Sequence, residues 1–128
     1  MKNKSKLNRI KTGGNSSIRN WFYMNPLSVS VEDIKNVWEQ DYDVEIWSEM
    51  GIIEVTLTNG GIDIEAISTD RWDDYSKEYL NENSVNCVYA VSVTENGYEE
   101  CMEAMKKLCG IKGGWFAADT DDFVPRIG

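Results

Sequence analysis

The chain of 128 residues contains no histidine, and that absence removes several chemistries at once. Ser-His-Asp and Cys-His nucleophilic arrangements need an imidazole base, and histidine metal centres need an imidazole ligand. No G-x-G-x-x-G and no G-x-x-x-x-G-K-[ST] occurs, so neither common glycine loop for nucleotide phosphates is present. Cysteine is scarce: three residues, an odd number at no framework spacing. Cys101 and Cys109 fall on one expected helix roughly 12 Å apart, beyond the ~7 Å reach of a disulfide. All three thiols sit on apolar faces, where cysteine acts as a small hydrophobe, so a reducing cytoplasmic setting is expected. No apolar run follows the basic N-terminus, so no secretory signal is expected. No stretch approaches the ~20 apolar residues of a membrane span.

Basic residues are also scarce once the N-terminus is passed. Residues 1–20 carry six Lys or Arg and no acid, while the remainder holds seven basic against twenty-two acidic residues, a net of −15. The expected organisation is therefore a flexible basic arm over 1–20 and one acidic domain over 21–128, long enough to bury its own core. An acidic body repels phosphates, so direct nucleic-acid binding by the folded part is disfavoured. It attracts basic protein surfaces and speeds encounter with them.

The clearest structural signal lies in residues 85–115. Val85, Cys87, Tyr89, Val91 and Val93 alternate with Asn86, Val88, Ala90, Ser92 and Thr94. This predicts a strand, and its second face is apolar enough for a central position. Asn96 with Glu99 predicts a helix start. Tyr98, Cys101, Met102, Met105, Leu108 and Cys109 form its buried stripe. Gly110 is the expected stop, with Ile111 folding back onto the stripe.

Upstream, Trp21, Phe22, Tyr23 and Met24 are too apolar to float. They are expected to tuck against the body, with an exposed aromatic docking patch at Trp21, Phe22 and Tyr23 as the functional alternative. Ser30 with Asp33 opens a helix whose inner side is Val31, Ile34, Val37, Trp38 and Tyr42. A short strand follows over 44–48. Residues 52–58 and 62–67 then read as a hairpin around Asn59-Gly60-Gly61, with a two-residue type I′ loop at Asn59-Gly60 or Gly60-Gly61. Either loop puts Ile53, Val55, Leu57, Ile62, Ile64 and Ala66 on one face and Glu54, Thr56, Asp63 and Glu65 on the other. Ser68 or Thr69 is the expected cap of a helix over 70–81, with Trp72, Tyr75, Tyr79 and Leu80 inward. Residues 115–118 form a last strand before an extended tail. The fold class is α+β, with helices packed on a mixed or antiparallel sheet and elements in the order αβββαβαβ.

Three acidic groups stand out as candidate contact faces: Asp70/Asp73/Asp74/Glu78, Glu54/Asp63/Glu65, and Asp119/Asp121/Asp122. Clustered carboxylates suit hard cations. The last group breaks the EF-hand pattern, however, with Val124 at the sixth position and no Glu at the twelfth. It reads as a solvated loop, and no metal or other cofactor is expected.

Three meandering strands, a helix, a strand, a helix and a strand also resemble the element order of the GNAT acetyltransferases. The segment 91–110 is similar to a later motif of that family. The resemblance implies an acetyl-CoA-dependent transferase scaffold. The family's glycine-containing pyrophosphate loop would stand at Ala66-Ile-Ser-Thr-Asp-Arg-Trp-Asp-Asp74. That junction has no glycine and carries Asp70, Asp73 and Asp74 where coenzyme phosphates would lie.

These features lean away from an enzyme. They favour a small acidic protein that binds a basic, nucleic-acid-binding partner as an inhibitor or neutraliser. Phage-type anti-defence proteins, anti-CRISPR inhibitors among them, and toxin-neutralising immunity proteins are the classes that fit. The alternative is an atypical or degenerate GNAT-like acyltransferase without the pyrophosphate loop.

Overall fold

The structure, a computed structural model, describes residues 18–128; most of the basic arm lies outside the described residues. The elements are β1 (Asn20–Asn25), α1 (Val31–Trp38), β2 (Asp43–Trp47), β3 (Ile52–Thr56), β4 (Gly61–Ala66), α2 (Asp74–Glu82), β5 (Cys87–Val93), α3 (Tyr98–Lys112), β6 (Trp115–Ala118) and β7 (Arg126–Ile127). The strands form a seven-stranded sheet in the order β2-β3-β4-β5-β1-β6-β7, and every pair is antiparallel. The fold is α+β with helices packed on the sheet. Among the described residues, no helix is long and apolar enough to cross a membrane.

One sheet face carries the main core. Ile46, Ile53, Ile64, Val91, Trp21 and Ala118 form a continuous row across six strands. Helices α1 and α3 cover this face with Ile34, Val37, Trp38, Cys101, Ala104, Met105 and Leu108. Each fully buried aliphatic side chain contributes roughly 1.5–3 kcal/mol. The Trp38 indole donates to the Ala104 carbonyl at 2.9 Å, tying the two helices together. The Asn25 amide is buried with its demands met: it donates to the Tyr23 hydroxyl and to the Lys112 carbonyl, and its oxygen accepts the Leu27 N–H.

A second, smaller core lies on the other face. Met24, Val88, Trp115, Ala117 and Phe123 are covered there by Trp72, Tyr79 and Leu80. Helix α2 therefore shields only part of this face.

Several sequence expectations are corrected by this arrangement. The Trp21-Phe22-Tyr23-Met24 segment tucks into the body as expected, as β1 between β5 and β6, and because Trp21 and Tyr23 are core residues the three aromatics do not form one exposed patch; only Phe22 is half-exposed. A strand with side chains packed on both faces reads as an unbroken apolar run without alternation. The hairpin turns at Thr58-Asn59: Thr56 pairs with Gly61, and the Leu57 N–H donates to the Gly60 carbonyl at 2.8 Å. Even parity and the partition of faces hold, but neither Asn59 nor Gly60 has a positive φ, so the turn is not type I′. Gly60 is required for space instead, because a Cβ there would stand 2.1 Å from the Asn96 carbonyl oxygen and from Thr94 Oγ1.

At the start of α3 the cap is Gly97 at φ 70, not Asn96. The helix continues through Gly110 to Lys112, and Ile111 is exposed. Helix α2 is capped by Asp73, whose carboxylate accepts the Ser76 N–H at 2.8 Å, so it starts after the Ser68 and Thr69 candidates. Ser76 faces inward and Tyr75 is exposed. The expected extended tail pairs with β6 as β7.

A candidate acidic groove on the open sheet face

The uncovered part of the second face is built from strand register. Glu45, Glu54, Asp63, Ser92 and Asn20 stand directly opposite one another in one row across β2, β3, β4, β5 and β1. Trp47, Ile52, Glu65, Ala90 and Phe22 form the next row of the same face, which ends in Ala117 and Arg126. Antiparallel neighbours of this kind place side chains about 4.5–5.5 Å apart at Cβ. The first three positions of the leading row are carboxylates, so the sheet aligns like charges where neutral pairs would be more stable.

Glu45, Glu54, Asp63 and Glu65 are all exposed. Ion pairs among the described residues lie elsewhere, at Lys35–Glu39 and Lys107–Asp41. Arg126, the cation in the same row as Phe22, is held with its guanidinium 4.6 Å from the centre of the Trp115 ring.

Where β4, β5 and β1 meet, the face is indented into a groove of about 290 Å³. Ala90 and Ser92 form its floor because they are the short side chains of a central strand. Glu54, Asp63 and Glu65 stand on one side with Ile52, and Phe22 and Asp119 on the other. Phe22 is fixed by edge contacts with Trp72 and Phe123, at 5.0 and 6.2 Å between ring centres. Asp119 is placed by its N–H, which donates to the Asn20 carbonyl at 3.0 Å. Among the described residues, no lysine or arginine lines the groove.

The candidate residues thus separate. Glu54, Asp63 and Glu65 come together, and Asp119 joins them across the sheet. Asp121 and Asp122 lie in the loop beyond, where the Thr120 hydroxyl donates to Asp122 at 3.3 Å. Asp70, Asp73, Asp74 and Glu78 belong to α2 and its approach and do not line the groove, and Asp73 acts as a helix cap. Glu45, Ala90 and Ser92 of this face were missed. Glu45 was legible from the alternation Asp43-Val44-Glu45-Ile46. Ala90 and Ser92 gave no signal, because their role as floor depends on the strands beside them.

Among the described residues, no group of three or more Cys, Asp or Glu could hold a metal ion. The three cysteines are free. Burial raises the Cys87 and Cys101 thiols and pushes Cys109 up to about 11, against the depressed values of reactive thiolates. Burial likewise raises Tyr23, and it lifts Tyr89 to about 12. Both hydroxyls are tied to backbone carbonyls, of Gly113 and Val29 respectively. At α2, where the GNAT-like reading would put a pyrophosphate, the Asp73 carboxylate already accepts the helix N–H. No protein-family model, no curated protein and no solved structure matches the chain.

Proposed function

We propose that the chain is a small non-enzymatic binding protein whose open, acidic sheet face engages a basic protein surface. It acts as an inhibitor or neutraliser of a nucleic-acid-binding partner, in the manner of an anti-defence or immunity protein. The observation that carries this reading is the row Glu45–Glu54–Asp63. Like charges placed directly opposite destabilise a sheet, and this row is left exposed where α2 could have covered a neutral one. Strand spacing sets one negative charge about every 4.8 Å along it. That is close to the one charge per ~3.4 Å along a strand of duplex DNA, so the row offers a basic groove a line of charge in place of phosphates.

Such recognition speeds association and is screened by salt. Affinity of the full chain for immobilised polyarginine should fall steeply between low and high ionic strength. Equal affinity at the two would contradict the reading.

A further inference from the structure

We propose that the groove on this face receives one arginine side chain of the basic partner, inserted between the Glu54/Asp63/Glu65 wall and the Phe22 ring. This rests on the reading of the face as the binding surface and specifies how a partner is held there. A volume of about 290 Å³ lies just below the roughly 300–1,000 Å³ of sites for drug-sized ligands. It suits a single long side chain better than a whole small molecule.

The lining has the polarity such a side chain needs. Ile52, Ala90 and the half-buried Phe22 give apolar surface for the methylene stem, which long cationic side chains bury while their heads stay polar. Glu54 stands directly opposite Asp63, with Glu65 two residues along the same face, and a planar guanidinium can bridge carboxylates through several N–H donors at once. Phe22, steadied by Trp72 and Phe123, offers its ring for a cation–π contact. Among the described residues, no lysine or arginine lines the groove. The short side chains of Ala90 and Ser92 leave the room between the two walls, and filling that room sets insertion apart from charge attraction alone.

The test uses the full chain and a blocked pentapeptide with one arginine between glycines. Its partner is the same peptide with citrulline, which has nearly the same shape without the charge. In a nitrogen-15 NMR titration, the arginine peptide should shift amides of Phe22, Asp63, Glu65, Ala90 and Ser92, and the citrulline peptide should not. Ser92→Leu fills the floor and leaves every charge in place. It should weaken the arginine peptide at least tenfold while polyarginine still binds salt-sensitively. Wild-type affinity for the arginine peptide in Ser92→Leu would overturn insertion and leave the broader reading standing. Equal binding of the citrulline peptide to the wild type would overturn it without any variant. Loss of salt-sensitive polyarginine binding in the wild type would remove the broader reading as well.

Discussion

Glu54 concentrates the conflict between stability and proposed function in a single residue. It stands opposite Glu45 on one side and Asp63 on the other. Glu54→Gln removes both like-charge contacts and keeps the side-chain volume. The variant should be more stable by roughly 0.2–1 kcal/mol, read as a higher urea midpoint, and should bind polyarginine more weakly. Greater stability bought by lost binding is the expected trade at a functional site. Gly60 gives the opposite case. A methyl group there meets the Asn96 backbone oxygen and Thr94 Oγ1 at 2.1 Å, and backbone cannot swing aside. Gly60→Ala should destabilise by about 1–3 kcal/mol, measured by chemical denaturation. The half-buried Cys109 thiol and the buried Tyr89 phenol weaken the fold at alkaline pH. Cys109 rises from 9.0 to about 11, and Tyr89 from 10.0 to about 12. The unfolded chain therefore ionises first. These groups contribute their full stability below about pH 9, and the contribution declines as pH rises through 9–11 for Cys109 and 10–12 for Tyr89. A thermal midpoint that falls across that window, and falls less in Cys109→Ala, is the expected result.

At the scale of elements, local chemistry was legible wherever one face of an element is wet. The capping box of α1 is a clear instance. Asp33 N–H donates to the Ser30 hydroxyl, and the Asp33 carboxylate accepts the Ser30 N–H, which holds the Asp33 carboxyl below its usual range. Ser30→Ala should cost about 1 kcal/mol, visible as a lower urea midpoint. The hairpin and β5 were equally legible, since their period-2 alternation fixes which side chains share a face. Strand β1 was not. Covered by α1 and α3 on one side and, around Met24, by the Phe123 cluster on the other, it shows only an apolar run. The start of α2 was ambiguous because Ser68, Thr69 and Asp73 are all competent caps, and packing of Trp72 against Phe22 and Phe123 goes with the last of them. The Asn-Gly pair pointed to a turn geometry that the chain does not use, because close approach of the α3 start to Gly60 set the register instead.

At the scale of the whole molecule, the candidate site is a product of sheet order. Parity alone put Glu54, Asp63 and Glu65 on one face, but nothing in the sequence placed β1 beside β5 or Asp119 beside Asn20. The groove exists because α2 covers only the half of the face carrying Met24, Val88 and Trp115. A net charge of −15 after residue 20 attracts any polycation in some degree, so the central claim is about location. The direct measurement compares two triple variants that remove the same charge. One is Glu45→Gln/Glu54→Gln/Asp63→Asn on the open row; the other is Asp70→Asn/Asp74→Asn/Glu78→Gln around α2. With polyarginine at low ionic strength, the open-row variant should lose at least tenfold more affinity than the α2 variant while remaining folded. Equal losses in the two would contradict the account and reduce the acidic row to ordinary solvated surface.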